Sequence, residues 1–130
     1  MIHLSLWATL FSLAFGATVA SANPIEGLWR TETDGQGRYA FVQMVGCGPY
    51  ICGLIVRAED TSGGVIEYPF DDRPIIWDMQ DNGLGAYDGG RIWAPDMDLT
   101  FRARMQLRND ILEVEGCVVG FCRGQQWTRQ

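Results

Sequence analysis

The chain has 130 residues, with sixteen Asp and Glu against ten Arg, no Lys and a formal net charge of −6. That length accommodates one small domain rather than two. The acidic balance makes nucleic acid and anionic membrane surfaces poor partners, and with the lone His at position 3 most acid–base and nucleophilic catalysis is excluded from the rest of the chain.

The first element in chain order is an export signal. Leu4 to Phe15 is a mostly apolar run, and Ala20-Ser21-Ala22 forms an A-x-A cleavage pattern ahead of Asn23-Pro24. The sequence therefore reads as a cleavable signal over 1–22 and a single β-barrel domain over 23–130. Met1-Ile2-His3 carries no Lys or Arg, so an uncleaved N-terminal anchor is the alternative, although the apolar run is short for spanning a bilayer. No Cys follows the cleavage pattern, which argues against a lipid-anchored lipoprotein, and no stable membrane insertion is expected once the signal is removed. The expected location is periplasmic or secreted, where disulfides persist.

Past Asn23, short runs rich in β-branched and aromatic residues are separated by Gly, Pro, Asn and Asp, and no long stretch repeats apolar residues at helical spacing. Strands are predicted over 28–33, 38–46, 52–59, 65–68, 74–80, 85–94, 98–108, 111–118 and 122–129. Between the second and third, Cys47-Gly48-Pro49-Tyr50-Ile51-Cys52 is expected to turn at Pro49-Tyr50, with Cys47 facing Cys52. Between the last two, Cys117-Val118-Val119-Gly120-Phe121-Cys122 is expected to turn at Val119-Gly120, with Cys117 facing Cys122. Other pairings are open to four cysteines, but each spacing can close its own hairpin, so the expected disulfides are Cys47-Cys52 and Cys117-Cys122. Zinc would require closer spacing and His partners, and no metal or other cofactor is expected.

From Asp98 to Arg129 the alternation is clean enough to assign faces. Leu99, Phe101, Ala103, Met105 and Leu107 share an apolar face, while Thr100, Arg102, Arg104, Gln106 and Arg108 share a polar one. A turn at Asn109-Asp110 pairs Leu107 with Leu112, Met105 with Val114, Phe101 with Val118 and Arg104 with Glu115. The same register places Trp127 opposite Leu112 and Gln125 opposite Val114. A closed antiparallel barrel of about eight strands hides the edges of so many short strands most completely; a sandwich is the alternative architecture. The arginine row is read as a solvated face rather than an anion-binding patch. Asp71-Asp72, Asp78 with Asp81, and Asp96 with Asp98 lack the spacing of a calcium loop and are read as turn residues.

Gly27-Leu28-Trp29 resembles the G-x-W signature of the lipocalin and fatty-acid-binding superfamily, in which a late Arg packs across the Trp; Arg129 is the matching residue. A longer pattern resembles the exported bacterial domain-of-unknown-function 2147 family. It comprises Gly27-Leu28-Trp29, Cys47-Gly48 with Cys52-Gly53-Leu54-Ile55-Val56, Asp72-Arg73-Pro74-Ile75, Gly89-Gly90-Arg91-Ile92-Trp93, and Gly116-Cys117 with Cys122-Arg123-Gly124-Gln125-Gln126-Trp127-Thr128-Arg129. The resemblance implies a lipocalin-like barrel without an established activity. Trp93-Ala94-Pro95, Tyr87 and Trp77 depart from the family pattern.

The functional expectation is a non-catalytic, monomeric binding protein for a small apolar or carboxylate-bearing ligand. Its candidate contacts are Arg123, Gln125, Trp127 and Gln43, because an inward-facing Arg needs an anion that a ligand carboxylate would supply; otherwise Arg123 pairs with a barrel acid or lies at the open rim. The alternative is a fully packed barrel that binds an envelope protein in the manner of an inhibitor or chaperone. Tyr50, Tyr68-Pro69-Phe70, Trp77 and Trp93 would then form its contact face.

Overall fold

A computed structural model of the chain describes residues 10–16, 22–67 and 72–130. The strands are β1 (Gly27–Arg30), β2 (Arg38–Cys47), β3 (Tyr50–Asp60), β4 (Val65–Ile66), β5 (Ile76–Asp81), β6 (Ala86–Ala94), β7 (Leu99–Arg108), β8 (Ile111–Val118) and β9 (Phe121–Arg129). Antiparallel pairing runs β2-β1-β9-β8-β7-β6-β5-β3, and a further β2–β3 ladder closes the ring into an eight-strand barrel. The short β4 lies along the upper part of β3, through Ala58↔Ile66 and Glu59↔Val65. The predicted strands all appear with small shifts at their ends, apart from residue 68, which lies outside the described residues.

The β7–β8–β9 region has the expected register. Leu107↔Leu112, Met105↔Val114 and Arg104↔Glu115 pair across the Asn109-Asp110 turn, and Leu112↔Trp127, Val114↔Gln125 and Cys117↔Cys122 pair across the next. The ladder ends at Arg102↔Cys117, one step short of the expected Phe101–Val118 pair. Both disulfides are formed, Cys47 to Cys52 and Cys117 to Cys122.

The first hairpin corrects the expected turn. Cys47 pairs with Tyr50, so the turn is Gly48-Pro49 and the disulfide runs diagonally to Cys52, whose own partner is Val45. Gly48 takes a φ of 60°, a left-handed conformation that glycine adopts freely at the first position of a tight hairpin turn. Tyr50 can then serve as a strand residue.

Side chains fill the interior from alternate positions, Val42 and Met44 of β2, Ala103 and Met105 of β7, Leu112 and Val114 of β8 and Trp127 of β9, and from Ile76 and Met79 on either side of a break at Asp78 in β5. The outer face carries the charges. Arg104 pairs with Glu115, and Arg108 reaches Glu113 at 3.6 Å. This polar-outside arrangement is the reverse of a lipid-facing barrel.

One end of the barrel is sealed. Trp29 is fully buried, donates its indole N–H to the Ile25 carbonyl at 2.9 Å, and lies under the Arg129 guanidinium, 4.3 Å from ring centroid to Cζ. Arg129 also donates to the Pro24 carbonyl at 2.8 Å and the Glu26 carbonyl at 3.2 Å, and its Nε is 3.3 Å from Asp110. Gly27 is required here: a Cβ would stand 3.2 Å from Arg129 Nη1, and its φ of 130° is strained for an L side chain.

Replacing Trp29 with Ala is expected to cost about 3 to 5 kcal/mol, because it leaves a large void under Arg129; urea unfolding of the oxidised protein measures this, and a near-neutral change would contradict the plug. Reducing both disulfides is expected to lower stability by about 2 kcal/mol per bridge without abolishing the fold, since each closes only a short loop. A thermal melt with and without reductant checks it.

Candidate functional site

The end opposite the plug is lined by the inward face of β9. Reading outward, Trp127 is buried against Leu112, Gln125 lies opposite Val114, Arg123 opposite Gly116, and Phe121 opposite Val118. The Trp127 indole N–H donates to Gln125 Oε1 at 2.9 Å, which satisfies the one polar atom of the floor and orients the amide above it. Above that floor exposure increases steeply. Arg123 and Gln125 are solvent-exposed, and the inward-parity residues Leu99, Val118 and Phe121 are 52%, 52% and 64% exposed.

Arg123 has no ion pair, hydrogen bond or ring contact among the described residues. Of the two placements open to it besides ligand contact, a barrel acid or the rim, the structure shows the rim. This open end, termed the cup, presents the Gln125 amide above buried Trp127, the unpaired Arg123 guanidinium and exposed apolar side chains at its lip. Its chemistry suits a small amphipathic molecule with an anionic end.

Gln43 is the correction among the predicted contacts. It lies between Val42 and Met44, both fully buried, so strand alternation puts it on the outer face, where it pairs with Leu28 and Leu54. Phe121 lies one residue before the predicted strand 122–129 and is the first residue of β9, where it shares the parity of Arg123. Of the side chains expected at a protein-binding face, Trp93 is buried, with its indole donating to Asp98 at 2.9 Å and Arg73 stacked 4.6 Å away. Trp77 is half-buried and packs on the core, Tyr50 is exposed at the hairpin, and Tyr68-Pro69-Phe70 lie outside the described residues.

Other chemistry is already committed. The Ser62 hydroxyl donates to Asp60; this bond and the Gly64 N–H hold the Asp60 carboxyl below its ordinary pKa. Glu115, Cys117 and Cys122 lie close together, but the two sulfurs are bonded to each other and the carboxylate to Arg104, leaving no thiolate to hold a metal. A shallow groove of about 430 Å³ lies at the plugged end, between Pro24, Asp81, Leu84, Tyr87, Leu107 and Arg129. It is separate from the cup at the other end.

A family model described as an uncharacterized protein conserved in bacteria (DUF2147) matches residues 27–129. The chain belongs to the DUF2147 family. Among solved structures, this DUF2147 chain is similar to protein HP1028 from the human pathogen Helicobacter pylori, described as belonging to the lipocalin family. The two share 16% identity and a TM-score of 0.66, over 81% of this chain and 82% of that one. At that identity the likeness concerns the fold, and the fold of this DUF2147 member is lipocalin-like. No curated protein matches the chain.

With Trp29, Trp93 and Trp127 buried and Trp77 half-buried, acrylamide is expected to quench the fluorescence of the chain from Asn23 onward only weakly. Trp77→Phe should remove most of the quenchable part. Strong quenching that survives this change would place Trp29, Trp93 or Trp127 at the surface.

Proposed function

We propose that this protein is an exported, non-catalytic binding protein of the periplasm or the outside medium. It acts as a monomer and receives a small apolar molecule with a carboxylate end in the open cup. The observation that carries this reading is Arg123: an inward-parity guanidinium without a partner among the described residues, on the same strand face as the exposed Phe121 and its cross-strand neighbour Val118. A carboxylate on Arg123 forms a charge-assisted, bidentate hydrogen-bond pair, while an apolar chain covers the lip and reaches toward Trp127.

Several features support export. The apolar leader residues Leu10, Phe11, Leu13 and Phe15 are 80 to 94% exposed, so a water-soluble product is favoured only once they are removed. The two disulfides fit an oxidising compartment. No helix among the described residues is long and apolar enough to cross a membrane. A non-catalytic role fits the absence of His and Lys from Asn23 onward and the engagement of the Ser62 hydroxyl by Asp60. The second reading, an envelope-protein partner, is favoured by the same lip, whose tip residue Val119 is fully exposed, and loses Trp93 as a contact.

The test is titration of the exported protein with alkyl carboxylates of increasing chain length and with the corresponding alcohols, followed by calorimetry. Carboxylates should bind more tightly than alcohols. Arg123→Ala should abolish that preference with a loss of about tenfold or more, the scale of one charge-assisted pair. Unchanged affinity in the variant would overturn the assignment of Arg123, and a chain that binds no carboxylate but captures an envelope protein through Val119 and Phe121 would favour the second reading.

A further inference from the structure

We infer that removal of the leader after Ala22 creates an α-ammonium on Asn23 that docks on Glu26 and completes the plugged end. The inference rests on the export reading above. Hydrolysis of the Ala22–Asn23 amide by water, at a leader peptidase, leaves the carboxylate on Ala22 and the amine on Asn23, which takes up a proton at neutral pH.

The receiving site is already in place. Asn23 N stands 2.7 Å from Glu26 Oε2, and the other Glu26 oxygen accepts the Gly46 N–H at 2.8 Å, which anchors the carboxylate to β2 beside Cys47. Asn23 is held from three further directions. Its Oδ1 accepts the Ile25 N–H at 3.1 Å and the Tyr87 hydroxyl at 2.6 Å, its Nδ2 donates to Asp81 at 2.8 Å, and its carbonyl accepts the Glu26 N–H at 2.9 Å. Burial, and then the Asp81 carboxylate, push the Tyr87 hydroxyl above its ordinary pKa, so it remains a donor at neutral pH. In the uncut chain, Asn23 N is a neutral amide with a single N–H for Glu26. After cleavage it carries a full charge and three N–H groups, and the same contact becomes a charge-assisted pair.

The charge balance points the same way. The ionised side chains linked into this network are Glu26, Asp81 and Asp110 on the negative side and Arg129 on the positive side. Cleavage adds a second cation where the negative charge is in excess. Because Arg129 holds the carbonyls of Pro24 and Glu26, the new pair secures the same turn that Arg129 clamps over Trp29.

The sequence offers an uncluttered test. The chain from Asn23 onward contains no Lys, so its α-amine is the only amine, and the Cα shift of ¹³C-labelled Asn23 follows its titration with all three N–H groups kept. The chain is prepared by cutting an engineered protease site directly ahead of Asn23, which makes the measurement independent of processing in the host. The amine should titrate above the ordinary α-amino range of about 7.7 to 8.0, by about half a unit or more, and Glu26→Gln should return it to that range. Since the folded value is raised, the stabilisation is present below the ordinary α-amino value and is lost as pH rises through the folded one. A chain that keeps Ala22 should lack this loss. Equal midpoints in the parent and Glu26→Gln would overturn the docking. The intact mass of the exported protein is the separate arm: a terminus other than Asn23 would overturn the processing step while leaving the docking result standing.

Discussion

The barrel depends on the contact between Arg129 and Trp29. A closed sheet requires its first and last strands to meet, and that seam is a short ladder: β1 and β9 share only Trp29↔Arg129 and Arg30↔Thr128. So few backbone pairs are a weak closure. The indole and guanidinium reinforce it from inside, with Arg129 tying β9 to the incoming chain at Pro24 and Glu26 and to the β7–β8 turn at Asp110. The Gln130 N–H donates to the Leu28 carbonyl at 2.9 Å and extends this seam, while the Arg129 N–H donates to the Asp110 carbonyl at 2.9 Å and holds the other side of β9 to the β7–β8 turn.

This closure makes the molecule asymmetric. At the plugged end, Trp29, Ile25, Met44 and Leu112 are fully buried, and each polar atom of the entering turn has a partner. At the other end the same strands carry inward-parity side chains that nothing covers among the described residues, and the guanidinium there has no counterion. Sealing one end and leaving the other open separates the work of stability from that of binding: substitutions around Trp29 act on the fold, whereas those around Arg123 act on what the cup holds.

Much of this was legible in the sequence, for identifiable reasons. The β7–β9 region is a meander with tight turns and strict alternation, so one register assignment constrains the next, and Trp127, Leu112 and the Cys117–Cys122 bridge fall into place. The β2 strand resisted the same reading because both its parities carry large apolar residues, Tyr39, Phe41 and Val45 on one and Val42 and Met44 on the other; alternation alone could not show that Gln43 faces outward. In β5, Asp78 has a φ of 56°, a local break that lets both Ile76 and Met79 turn inward. Trp93 is buried through the segment around Arg73 and Ile75, a contact distant in sequence. The cup was half legible: parity found Arg123, Gln125 and Trp127, while the exposure of its lip required the three-dimensional structure.

Hydrogen exchange measured by NMR on the oxidised chain from Asn23 onward distinguishes a barrel sealed at one end and open at the other from one closed at both. The Trp29 indole proton and the amides of Arg129 and Gln130 should exchange among the slowest, at the rate of global unfolding, while the amides of Phe121 to Gly124 exchange faster through local opening. Uniform protection along β9, or slowest exchange at the mouth with early loss at Trp29, would contradict it.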